Sequence, residues 1–149
     1  MQALRELYQQ VIIDHSRKPR HFGELADCSH QRLGHNPLCG DQITVYARCC
    51  DEVITALQFS GSGCAICMAS ASLMSEALQQ KPISEARKMF DGFHAVVTGK
   101  EPPTEDLGKL AVLAGVAEYP VRVKCATLAW HTLLAALDSP PQSQPVSTE

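Results

Sequence analysis

The sequence has little positive charge to spare, few aromatic residues and no long apolar run, and these shortages close several classes of function. A formal net charge of -3 gives no electrostatic basis for binding nucleic acid or an anionic membrane. No stretch approaches the roughly 18 apolar residues of a membrane span. Glu6, Asp14 and Arg17 interrupt the only apolar pattern near the N-terminus, so no signal-peptide core is expected there. No internal repeat is visible, and aromatic residues make up only 5% of the chain. An even cysteine count is also lacking. Seven cysteines in 149 residues do not suit a secreted disulfide framework, which favours even numbers in shorter chains. The expectation is a cytoplasmic protein whose surplus thiols serve metal binding, sulfur chemistry or burial. Its length is that of one domain with a core of its own.

The chain is best read around Gly61-Ser62-Gly63-Cys64-Ala65-Ile66-Cys67-Met68-Ala69-Ser70-Ala71-Ser72. A flexible turn here leads into a helix-favouring run with a cysteine at its start. Free N–H groups and partial positive charge at a helix start favour a thiolate, the form that binds metal or attacks sulfur. The small residues that follow let neighbouring backbone approach closely. The plain alternative is a core helix that begins with a buried cysteine.

Around this stretch the elements fall in a simple order. Leu4, Leu7, Tyr8, Val11 and Ile12 give residues 2–15 one apolar helical face. Residues 29–33 suit a short strand. The alternation in Gln42–Arg48 and Val53–Ser60 predicts a hairpin joined through residues 49–52. Helices are expected from Cys64 to about Gln80, from Pro82 to Gly99, through Leu107, Leu110 and Leu113 to Gly115, and from Ala126 to Asp138. Strands followed by a run of helices indicate an α+β fold, a small antiparallel sheet of about three strands packed on one face by helices. The domain is expected over 1–138, with 139–149 a disordered tail.

Three cysteines lie at junctions: Cys39 in the turn before a strand, Cys64 at the start of the central helix, Cys125 at the expected start of the last helix. Asp41 is close enough to Cys39 to share its surroundings, and Gly40 permits the turn that lets them converge. Three thiolates and a carboxylate suit zinc, and thiolates also suit iron–sulfur clusters. Cys64-x-x-Cys67 has the spacing of a thiol oxidoreductase pair, but its setting favours a packed Cys67. Cys28 reads as structural, and the vicinal Cys49-Cys50 as incidental. His15 reads as a solvated or capping residue at a helix end; His21, His30 and His35 read as exposed.

Three blocks together carry a resemblance: Asn36-Pro37-Leu38-Cys39-Gly40-Asp41, Gly61-Ser62-Gly63-Cys64 with Met68–Ser72, and Arg122-Val123-Lys124-Cys125-Ala126-Thr127-Leu128-Ala129-Trp130. With Leu7-Tyr8, Asp14-His15 and Lys18-Pro19-Arg20, they resemble the IscU/NifU-N family over about residues 4–137, and its SufU branch more closely. Lys124 stands where IscU-like proteins carry a histidine ligand, and Glu101–Val116 looks like the additional piece of SufU-like chains. Tyr119-Pro120-Val121-Arg122-Val123 replaces the Leu-Pro-Pro-Val-Lys chaperone signal of IscU. Cys67 stands where the family usually has serine.

The resemblance implies a SufE/IscU-like α+β fold in which Cys39, Asp41, Cys64 and Cys125 bind zinc or a transient [2Fe–2S] or [4Fe–4S] cluster. It implies a SufS-type cysteine desulfurase as partner, with a SufBCD-type scaffold or apo iron–sulfur proteins downstream, and Cys39 as the sulfur acceptor. Arg122 and Lys124 are candidates for steadying thiolate or persulfide charge. Three readings stay open: a zinc-dependent sulfurtransferase, a non-enzymatic scaffold for a nascent cluster, and an inert zinc-stabilised interaction module.

Overall fold

The alternating stretches form the sheet and the periodic ones cover it. A computed structural model describes residues 2–138 and 146–147, and the order of elements is α1 (Gln2–Arg17), β1 (His30–Asn36), β2 (Asp41–Cys50), β3 (Val53–Ser62), α2 (Ala65–Leu78), α3 (Ile83–Val97), a 3-10 segment (Glu105–Glu118), α4 (Pro120–Asp138) and β4 (Val146–Ser147). The strands lie in the order β3-β2-β1-β4. The first three are antiparallel, and β4 adds one short parallel pairing at Gly34–His35. The fold is thus the α+β arrangement expected. Of the expected tail, Val146 and Ser147 pair with β1, and the remainder lies outside the described residues.

Ile43, Val45, Ala47, Ile54, Leu57 and Phe59 point from the sheet into the core, where Leu73, Met74, Leu128, Trp130 and Leu133 of α2 and α4 meet them. The single tryptophan stacks on Phe93 at 4.8 Å between ring centroids, which ties α3 to α4. Serines in α2 do the rest of the fastening, and all three are buried. Ser70 donates to the Ala126 carbonyl at 2.5 Å and accepts the Trp130 indole N–H at 3.2 Å. Ser75 donates to the Arg20 carbonyl at 3.1 Å. Ser72 contacts His15 Nδ1 at 2.7 Å and accepts the Arg20 amide at 2.9 Å.

Four expectations need correction. The hairpin turn is only Asp51-Glu52, both at positive φ (51° and 64°), because Cys49 and Cys50 still pair with Ile54 and Val53 beyond a bulge at Arg48/Cys49. Positive φ at both central residues is the two-residue hairpin geometry that matches strand twist. The expected helix at 107–115 is a longer 3-10 segment, broken at Gly108, with Leu107, Leu110, Leu113 and Val116 buried. The last helix begins at Pro120 rather than Ala126; proline suits the first helical turn, whose N–H groups lack intrahelical partners anyway. His15 is buried rather than solvated, and His30 and His35 are half-buried in β1, with only His21 of that group fully exposed.

Candidate metal centre

Three segments far apart in sequence meet at one end of the sheet. The turn between β1 and β2 carries Cys39 and closes through the Gly40 amide, which donates to the Asn36 carbonyl at 2.8 Å. Gly40 sits at φ 75°, a left-handed conformation that side chains other than glycine rarely adopt. The turn releases Asp41 as the first residue of β2, with no exposed surface. Asp41 Oδ1 accepts the Cys64 amide at 2.9 Å, and Oδ2 accepts the Cys39 thiol at 3.1 Å.

Cys64 is the N-cap of α2, and its sulfur accepts the Cys67 amide at 3.5 Å. Sulfur here fills the role that a hydroxyl or carboxylate oxygen usually takes at a helix start. Cys64 Sγ lies 3.9 Å from Asp41 Oδ2. Cys125 is in the second turn of α4 rather than at its start, and its sulfur lies 3.3 Å from that of Cys39. The Ser70 bond to Ala126 fixes the backbone one residue beyond it.

The ligand atoms of Cys39, Asp41 and Cys125 all lie within 4.8 Å of one another, with Cys64 joining through Asp41. Burial, and then the Asp41 carboxylate, push the Cys39 thiol up. Burial also drives Cys125 far up, helped by its contacts with Cys39, Asp41 and Cys64. Burial is the leading cause in both, and the crowding of several groups that would be anions adds to it; Asp41 forms no ion pair among the described residues. A divalent cation would supply the missing countercharge, and three thiolates with one carboxylate are a donor set that zinc accepts. The residues fit such an ion.

The structure therefore brings Cys39, Gly40, Asp41, Cys64 and Cys125 together. It leaves Arg122 exposed and Lys124 half-buried on α4, without an ion pair among the described residues. Cys28 is half-buried with its thiol 3.8 Å from Gln31 Oε1, and Cys49 and Cys50 lie at the far end of β2. Two residues of the site were not singled out from sequence. Asn36 is fully buried, its Oδ1 accepts the Leu38 amide at 3.2 Å, and its Nδ2 has no partner. Gly63 abuts both Asp41 and Cys67: an added Cβ would stand 2.8 Å from Asp41 Oδ1 and 3.1 Å from Cys67 Sγ. The Asn-Pro pair and the Gly-Ser-Gly run are their sequence marks.

Thiols and a buried carboxylate gathered at the end of a helix-covered sheet define an α+β protein with a candidate metal-thiolate site. The family model for the NifU-like N-terminal domain matches residues 7–137, and the chain belongs to that family. It is 40% identical over 138 residues to the iron–sulfur cluster assembly scaffold protein IscU of Streptococcus pyogenes serotype M1, covering 92% of this chain and 86% of that one. It is 41% identical over 131 residues to the zinc-dependent sulfurtransferase SufU of Bacillus subtilis, covering 87% and 88%. The fold is similar to a crystal structure from Fervidobacterium islandicum, described as a candidate iron–sulfur cluster assembly scaffold protein for the SUF system. That likeness has a TM-score of 0.83 and 34% identity, over 89% of this chain and 97% of that one.

Proposed function

We propose that the chain is a cytoplasmic iron–sulfur cluster assembly protein of the SufU type, which accepts persulfide sulfur from a SufS-type cysteine desulfurase. Cys39, Asp41, Cys64 and Cys125 would hold a zinc ion. When bound, zinc keeps the thiols deprotonated at neutral pH and ties their loops together.

The observation that carries this reading is the exposure of Cys39. Among the three cysteines gathered here it alone is exposed, while Cys64 is half-buried and Cys125 is buried. It also sits in a turn rather than on a helix, so it has the reach that the others lack. The Cys39 thiolate attacks the outer sulfur of the partner's cysteine persulfide. One S–S bond forms, the original S–S bond breaks, and the partner's cysteine leaves as a thiolate. The chain then carries the sulfur as a persulfide on Cys39, with no net oxidation. Asp41 is the hardest donor in the set and the natural one to give way. Leu38, Tyr119 and Val121 are more than half exposed in the same two segments as Cys39 and Cys125, and offer apolar surface against which a partner can dock.

The test is desulfurase turnover with and without this chain, after metal analysis of the aerobic preparation. Strong stimulation that disappears in Cys39→Ala, with about one zinc per chain, supports sulfur transfer. Bound zinc without stimulation favours the scaffold reading, in which the same ligands hold a nascent cluster for a SufBCD-type assembly or apo-proteins. The similarity to a relative named as an IscU scaffold keeps that second reading in play. An unchanged desulfurase together with no cluster on reconstitution leaves an inert zinc-stabilised module.

A further inference from the structure

Cys67 takes no part in the four-residue set, yet it lies beside it. It occupies the third position of α2, its amide bonded to the Cys64 sulfur at 3.5 Å, and it has no exposed surface. Its Sγ and Asp41 Oδ1 both lie within 3.1 Å of the point where a Cβ on Gly63 would stand. A side chain there would part the two groups, and glycine lets them share one small space. Cys64 and Cys67 also have the two-residue separation with which protein chains commonly bite a single metal ion.

We propose that Cys67 is a reserve ligand of the metal centre, a fourth thiolate that takes the coordination position of Asp41 when the carboxylate is absent or displaced. The centre then has five donors for four places. With Asp41 engaged, the set is three sulfurs and one oxygen; with Asp41 away, Cys39, Cys64, Cys67 and Cys125 make an all-sulfur set. The exchange suits a soft divalent ion, for which thiolate is a better donor than carboxylate. Asp41, at the start of β2, can give way without opening the centre to water, because Cys67 is buried beside it in the first turn of α2. This inference rests on the metal centre proposed above.

The test is anaerobic titration with cobalt(II) of the wild type, Asp41→Asn, Cys67→Ser and Asp41→Asn/Cys67→Ser, read by the sulfur-to-cobalt charge-transfer absorption and the ligand-field bands of tetrahedral cobalt. Asp41→Asn keeps an oxygen to accept the Cys64 amide, so the local fold has its hydrogen bond; circular dichroism checks this for every variant, and Asp41→Ala serves as a second form of the same substitution. The expected result is tetrahedral cobalt in Asp41→Asn, with charge-transfer absorption raised above wild type by about a third, as four thiolates replace three. The double variant loses that gain and binds at least about tenfold more weakly than Asp41→Asn. Equal spectra and affinities for Asp41→Asn and the double variant would overturn the role of Cys67. A wild type that binds no cobalt would instead overturn the metal centre itself, so the two failures are distinct.

Discussion

Asp41 Oδ1 accepts the backbone amide of Cys64 at 2.9 Å, so one carboxylate both caps the entry to α2 and faces the thiol cluster. The two roles separate by substitution. Asp41→Asn retains an oxygen for the amide, whereas Asp41→Ala leaves a part-buried donor without its partner, at a cost of about 1–3 kcal/mol. In metal-free protein, urea unfolding is expected to find the alanine variant less stable than the asparagine variant by that amount. Equal stabilities would mean that the bond contributes nothing to holding the helix start.

Gly63 carries a different burden. A Cβ at this position would stand 2.8 Å from Asp41 Oδ1 and 3.1 Å from Cys67 Sγ, closer than ordinary contact, and neither group has room to retreat because both residues are buried. Gly63→Ala is therefore expected to displace both the Asp41 carboxylate and the Cys67 sulfur, removing the ligand and its reserve together, and to weaken zinc binding by about 10–100-fold, the usual effect of disturbing residues that position metal ligands. Competition against a chromophoric chelator measures it. An unchanged affinity would show that the metal needs neither the Asp41 carboxylate nor the Cys67 sulfur where Gly63 lets them sit.

Much of this arrangement is legible from sequence, for reasons that differ by residue. The strand alternation in 42–48 and 53–60 is strong because one face of the sheet is buried under helices, and periodicity reports burial directly. Cys39, Asp41 and Cys64 stand beside glycine-marked turns that locate them. Cys125 is harder, since Val121 and Val123 mask the helix that Pro120 begins, and its closeness to Cys39 depends on how α4 lies over β1. Cys67 has the periodicity of a core residue and is one by burial; only the packing against Gly63 and Asp41 puts it at the site. His15 gives no local sign of burial, because its partners Ser72 and Glu76 come from α2.

Metal removal has a predictable proton count. Without a cation, burial and the neighbouring Asp41 hold the Cys39 and Cys125 thiols above their ordinary range, so both are protonated at neutral pH. Zinc must displace those protons to bind thiolates, and about two or more protons should be released per metal bound, as thiolate ligation requires. The affinity should accordingly rise with pH across the neutral range. Titration in weak buffer with a pH indicator checks the release. A chelator should lower the melting temperature, since a ligand at 100 times its dissociation constant stabilises the native state by about 2.7 kcal/mol. Binding without proton release would exclude these thiols as ligands.

His15 sets an acid limit on stability that is independent of the metal centre. It is 1% exposed, its Nδ1 contacts Ser72 Oγ at 2.7 Å, and Nε2 lies 3.7 Å from Glu76. Burial first, and then the Arg20 cation, lower its pKa below the ordinary 6.5, outweighing the pull of Glu76. Burial and His94 lower His131 in the same direction. The folded chain thus binds fewer protons than the unfolded chain once the pH falls below about 6.5, and stability drops as the pH drops through that window. Above it both states hold neutral histidine, and the contribution is complete. Urea unfolding of metal-free protein at pH 7.5 and at pH 5.5, values chosen to bracket the free histidine range, should show a loss on acidification that is smaller in His15→Gln, where the ionisable group is gone. An identical loss in both proteins would assign the acid sensitivity to His131 or to carboxylates instead, and would mean that the His15–Ser72 contact holds α1 to α2 without coupling their packing to pH.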